Sequence, residues 1–167
     1  MTFEVKDTGS KGVGVFATAL LTPGTLILSE KVLLRIDKSY YMQSDIETAF
    51  AALSPDQQEI YLSLSSAHGQ DPKRYPRRIH PSVDAVERQR IQEQHKARTA
   101  ASKSVLSVFM TNAIECGRGA AVFATASRFN HSCVPNAFFA WNDKLGVETI
   151  YATKHIACDE VGGDARA

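Results

Sequence analysis

Between Phe129 and the aromatic pair Phe138-Phe139 lies Asn130-His131-Ser132-Cys133-Val134-Pro135-Asn136, and this stretch constrains the chain more than any other. Short polar side chains held between apolar flanks have to be hydrogen-bonded wherever they are buried. Asn130 carries donors and an acceptor in fixed geometry, and His131 presents a ring and a backbone that can read the edge of a polar heterocycle. Pro135 and Asn136 enforce a turn directly afterwards. On its chemistry alone the stretch is either a buried turn with a satisfied Asn and His, or one edge of a site that reads a polar ligand.

The pattern around it is strands, then helices, then strands. Phe3-Glu4-Val5, Val13 to Phe16, and Thr25 to Ile36 (divided by Ser29-Glu30-Lys31) predict short strands, with a turn at Thr22-Pro23-Gly24. Ser44-Asp45-Ile46-Glu47 and Ser54-Pro55-Asp56-Gln57 match helix capping boxes, so helices are expected to begin near Asp45 and Pro55. The second is expected to stop by His68-Gly69. One long helical run is predicted from about Val83 to Met110, its polar first half exposed and Val105, Leu106, Val108 and Phe109 docking the second. Ala121 to Ala124, Ala137 to Trp141 and Val147 to Ala152 read as strands, with turn chemistry at Asn142-Asp143-Lys144. This order predicts α+β architecture with a helical insertion.

The 167 residues suffice for one domain with a real core. The net charge of +1 supplies no broad field, so neither nucleic acid nor an anionic membrane is an expected partner. The cluster Lys73, Arg74, Arg77 and Arg78 reads as a solvated loop. No apolar run approaches the ~18 residues that span a bilayer. Residues 1–20 show no secretory signal. Cys116, Cys133 and Cys158 form an odd set, which suits a reducing compartment, nucleus or cytoplasm.

The motif Asn130-His131-Ser132-Cys133-x-Pro135-Asn136 resembles the signature of SET-domain protein lysine methyltransferases. Lys11-Gly12-Val13-Gly14-Val15-Phe16-Ala17 is similar to the stretch that opens such domains, and Glu30-Lys31-Val32-Leu33-Leu34 to the segment that follows. The resemblance is closest to the SMYD-like and fungal SET branch without a MYND zinc finger. It implies a β-rich fold of short strands over residues 1–161: N-terminal strands (1–36), a helical insertion (37–111) and a C-terminal core (112–161), with a frayed tail at 162–167. It implies S-adenosylmethionine as cofactor, with Asn130 and His131 contacting it, and Lys11, Gly12, Gly14, Asn112 and Ser127 as further cofactor-binding residues. The implied partner is a protein substrate bearing a target lysine, histone or non-histone.

SET domains continue past a segment like Ile156-Ala157-Cys158-Asp159-Glu160-Val161 into a strand ending in tyrosine. No tyrosine follows here, so the chain reads as C-terminally truncated, its pseudoknot segment incomplete and its activity weak or absent. No catalytic residue is identified. The alternative is a non-catalytic SET-like module that binds a protein through its helices. A zinc site built from His131, Cys133, His155 and Cys158 is the weakest reading, because the spacing matches no standard zinc pattern, and no metal is expected.

Overall fold

The computed structural model describes residues 2–7, 12–75 and 78–164. β1 (Phe3–Asp7) and β2 (Val13–Ala17) form an antiparallel pair with Phe3 opposite Ala17 and Asp7 opposite Val13. β3 (Leu26–Lys31) and β4 (Leu34–Ile36) follow. The expected division at Ser29-Glu30-Lys31 is not observed. Those residues stay within β3, because a later strand pairs them one by one, and the break falls at Val32-Leu33 instead.

Helices occupy the stretch between β4 and the fifth strand. α1 (Gln43–Ala51) starts two residues before Asp45, whose carboxylate accepts the Met42 N–H at 3.0 Å. α2 (Pro55–Ser63) has the expected Ser54 cap, with Ser54 Oγ accepting from Gln57 N and the Gln57 side chain accepting from Ser54 N. α2 ends at Ser63, well before His68-Gly69. Leu64 turns extended to bury itself in the helical core, and Lys103 Nζ donates to the Leu62 and Leu64 carbonyls at 2.9 and 2.8 Å. The single run expected from Val83 to Met110 is two helices, α3 (Ala85–Thr99) and α4 (Val105–Asn112). Ser104 and Ser107 make a reciprocal cap that starts α4 anew, a signal overshadowed in the sequence by the polar stretch before it. α3 buries only Ala97, whereas α4 buries Leu106, Ser107, Val108, Phe109 and Asn112, the expected contrast between exposed and docked halves.

Then come β5 (Ile114–Cys116), β6 (Gly119–Val122), β7 (Asn130–His131), β8 (Ala137–Asn142), β9 (Val147–Ala152) and β10 (Gly163–Asp164). β4, β6 and β5 make one sheet, and a five-stranded sheet runs β3-β9-β8-β10-β7. Gly119 is required where β6 meets β4, since a Cβ there would collide with the Ile36 carbonyl.

Two cores result. Val15, Ile27, Phe123, Phe129, Ile150 and Ile156 fill the space between the strand layers. Ile46, Tyr61, Leu106, Val108 and Phe109 pack the helices onto Leu34, Ile36 and Val122. Each large side chain so buried contributes about 1.5–3 kcal/mol, so both layers are substantial.

The tail expected to fray at 162–167 is paired as far as Asp164. The chain runs back along β2, with Asp159 N to Ala17 O at 2.8 Å, Ala17 N to Glu160 O at 3.0 Å and Gly162 N to Val15 O at 2.8 Å. β10 then lies parallel to β7, and Asp164 also pairs Ala137 of β8. Its lack of apolar residues hid it. A glycine is what the passage demands, because a Cβ on Gly162 would sit 2.9 Å from the Phe129 ring. Residues 165–167 lie outside the described residues.

Candidate functional site

The C-terminal end of α4 and the motif segment face each other across a hollow of about 140 Å³. Thr111 and Asn112 form one side; Ser127, Arg128, Phe129, Asn130 and His131 form the other. Ser63 at the end of α2, with Leu64 and Ser65 just past it, makes a third wall, and Val13 of β2 completes the lining.

Local chemistry explains why these pieces meet. Asn112 is 1% exposed, and its side-chain nitrogen donates to the Val108 carbonyl of its own helix and to the Ser65 carbonyl, both at 2.7 Å. The Ser127 hydroxyl donates to the Asn112 carbonyl at 3.2 Å and accepts from Phe123 N at 3.1 Å. Ala67 N donates to Thr111 Oγ1, and Ser66 Oγ to Ser107 Oγ, so the loop after α2 is stitched along α4. Glu30, reaching from β3, accepts from Thr125 N at 2.9 Å and Ala126 N at 2.8 Å. A carboxylate on those amides satisfies donors at the start of the short helical turn Ala126–Arg128 that leads into the motif. Phe129 is locked edge-on against Phe139, with ring centroids 5.7 Å apart.

Of the residues singled out from sequence, Asn112, Ser127, Asn130 and His131 converge on the hollow. Gly12 and Gly14 flank the lining residue Val13 without lining it themselves. Lys11 lies outside the described residues. Sequence reasoning missed Ser63, Leu64, Ser65, Thr111 and Arg128. The serine-rich run after α2 was the available signal for three of them.

Asn130 holds a diagnostic atom. Its side-chain nitrogen is buried and has no hydrogen-bond partner in the protein, an arrangement that costs free energy unless a ligand acceptor supplies one. His131 is exposed, and its Nε2 stands 3.9 Å from Cys133 Sγ. Among the described residues no three His, Cys, Asp or Glu side chains are grouped to hold a metal ion. Among the described residues no helix is long and apolar enough to cross a membrane.

A buried acid sits away from the hollow. Glu148 of β9 is 1% exposed, accepts from the Cys116 thiol at 3.7 Å and has its other oxygen unpartnered. Burial pushes its carboxyl up to about 7 and the Cys116 thiol up to about 12.

Comparison with known proteins identifies the family. The model of the SET domain family matches residues 12–160, and the chain belongs to that family. It is 25% identical over 159 residues to the histone-lysine N-methyltransferase set5 of Schizosaccharomyces pombe, a match covering 95% of this chain and 40% of that protein. The chain therefore spans about two-fifths of the length of that relative. A solved structure of a Plasmodium falciparum protein described as a candidate histone methyltransferase shares the fold, with a TM-score of 0.52 at 10% identity over 99% of this chain and 93% of that one.

Proposed function

We propose that this SET domain binds S-adenosylmethionine in the hollow and serves as the cofactor-holding part of a protein lysine methyltransferase. The observation that carries the reading is the buried, unpartnered amide nitrogen of Asn130, in a hollow shared with the glycine-flanked Val13. An adenine ring nitrogen is an acceptor of the kind that atom lacks. The other lining groups are mostly hydroxyls, amides and apolar flanks, with Arg128 and His131 beside them and, among the described residues, no carboxylate, which suits a nucleoside better than a metal ion.

When bound, S-adenosylmethionine supplies a methyl group on a sulfonium for transfer to a neutral lysine amine. The chain's own part is placement. Asn130 and His131 fix one end of the ligand, the bond from Ser127 to the Asn112 carbonyl keeps the opposite wall at a set distance, and Phe129 holds the motif strand in register. Holding reactants in one geometry is worth several kcal/mol of a barrier, so these anchors bear on rate even at a distance from the methyl. The substrate is a protein lysine, with a histone suggested by the name of the yeast relative. The four helices between β4 and β5 support placing the chain in the SMYD-like branch, and a nuclear or cytoplasmic location belongs to the same reading.

One observation favours the second reading, a non-catalytic module. None of the described residues lining the hollow is a tyrosine. The Tyr61 hydroxyl is committed to the Val105 carbonyl at 3.0 Å, and Tyr151 lies between Leu26 and Phe138 across the exposed face of β3, β9 and β8. Calorimetry with S-adenosylhomocysteine tests cofactor binding, with Asn130→Ala as the variant expected to abolish it. Transfer of a radiolabelled methyl to core histones tests catalysis. Binding without transfer would favour the module, and unchanged affinity in Asn130→Ala would remove the cofactor assignment.

A further inference from the structure

We infer that the loop before α3, with the face of α3 that it covers, is a docking surface for the phosphate backbone of a duplex nucleic acid, a reading independent of the cofactor. The net charge of +1 averages over a segregation: residues 71–103 carry nine Lys and Arg against four Asp and Glu, and the rest of the chain ten against fourteen. Packing gathers much of that excess on one face. Arg88, His95 and Arg98 share a stripe of α3 at helical spacing, about 15 Å from first to last. The loop lies along this stripe. The Tyr75 ring meets His95 edge-on with centroids 5.2 Å apart, and the Arg98 guanidinium stands 5.6 Å from the Tyr75 ring. At the other end Arg88 Nη2 donates to the His80 and Val83 carbonyls at 3.2 and 3.3 Å. Lys73 and Arg74, in the short turn Pro72–Arg74, and Arg78, between the two anchor points, are exposed.

The acids of this segment are engaged elsewhere. Asp71 and Asp84 accept from the backbone amides of Lys73 and Glu87, both at 2.9 Å, Glu87 pairs with Arg90, and Glu93 accepts from Gln43 N at 2.9 Å. The ion pairs among the described residues involve Lys6, Arg35, Lys38 and Arg90, and none of the five cations of this face. Unpaired cations spread over such a length match a polymer with a charge at every step, where each contact releases counterions. A folded acidic protein would call for an apolar centre with aromatic anchors. Among the described residues of 71–103, Val86 is the exposed large apolar side chain, and it points off the stripe. Tyr75 is spent on His95 and Arg98, so its ring is no platform for the stacked bases of a single strand. Charge without a stacking ring or an apolar centre favours the backbone of a duplex.

Fluorescence anisotropy of the full chain with a labelled DNA duplex of about 20 base pairs tests this. Wild type should bind with a Kd of about 10⁻⁶–10⁻⁴ M near physiological salt and weaken steeply as salt rises. The triple variant Lys73→Ala, Arg74→Ala, Arg78→Ala should bind about tenfold or more weakly, with a slope of log affinity against log salt shallower by about 2–3. A control triple at exposed positions outside the segment, Lys31→Ala, Lys144→Ala, Lys154→Ala, should change affinity by less than about threefold, because distant charges are screened. Thermal melts establish that the variants fold, and Lys73→Ala alone, with a slope shallower by about 1, keeps the comparison informative if the triple variant does not. Equal losses in the two triple variants, an unchanged salt slope, or a wild type that ignores the duplex would overturn the proposal. Tighter binding to polyglutamate, or to the single strand, would overturn it in favour of an acidic protein or an unpaired strand. None of these outcomes touches the cofactor reading, which calorimetry with S-adenosylhomocysteine decides separately.

Discussion

Asn112 and Ser65 are joined across 47 residues by a single 2.7 Å bond from a buried side-chain amide to a backbone carbonyl. That bond, with its companion to Val108, spends both amide protons on carbonyls and sets the distance between α4 and the loop after α2. Asn112→Ala is expected to cost about 1–3 kcal/mol, because the Ser65 and Val108 carbonyls lose a buried donor. Asn112→Asp should cost more, since a carboxylate would face two carbonyl oxygens. Urea unfolding ranks the two, and calorimetry with S-adenosylhomocysteine should show affinity falling in both.

Glu30 acts on the motif from the other direction. Removing its carboxylate in Glu30→Ala uncovers the Thr125 and Ala126 amides, with an expected loss of about 1.5–3 kcal/mol for hydrogen bonds to a charged group. Glu30→Gln keeps an acceptor oxygen and should lose less. Amide hydrogen exchange at Thr125 and Ala126 should speed up in the alanine variant before it does in the sheet around β9. Unchanged protection there would contradict the role given to Glu30.

Glu148 makes stability depend on pH in a direction opposite to that of a salt-bridged acid. Desolvation raises its carboxyl from the ordinary 4.5 to about 7, so the folded protein binds a proton that the unfolded chain releases. Stability therefore falls as pH rises from about 4.5 to about 7 and levels off above that. Glu148→Gln keeps the shape without the charge, and its stability relative to wild type should grow across this window. The total difference is about 3 kcal/mol at one pKa unit per 1.36 kcal/mol. Urea midpoints at pH 5 and pH 8 for both proteins decide it, and parallel pH profiles would sink it.

Two glycines should answer differently to alanine. Gly119→Ala drives a Cβ into the Ile36 carbonyl, so β4 and β6 must part, at about 3 kcal/mol or more. Gly12→Ala meets nothing within 4 Å, and only its φ of +75° is strained, at about 1–2 kcal/mol. Differential scanning calorimetry should show the larger drop in Tm for Gly119→Ala.

The parts of the molecule written in side-chain pattern were legible from sequence. β8 is an apolar, aromatic run and β9 a β-prone one, joined by a turn whose Asn142 side chain accepts the Lys144 and Leu145 amides, and the motif strand announces itself by composition. Features carried by backbone atoms or by missing side chains were not. The wall at Ser63-Leu64-Ser65 meets Asn112 through a carbonyl, which every residue has. β10 is admitted beside Phe129 because Gly162 has no side chain, which periodicity cannot register. Arg128 reads as one more arginine until Ser63, 65 positions earlier, is seen to hold it.

The insertion of β10 next to β7 governs how the polypeptide is made as well as how it rests. A ribosome delivers residues from the amino end at ~5–20 per second, and domains fold as units once they have emerged. Until residues 156–164 clear the exit tunnel, β2 lacks its returning neighbour and β7 has no partner on the side that β10 will fill. The nascent domain thus waits with open strand edges, and the motif strand that lines the hollow gains its β10 partner only once residues 156–164 have emerged.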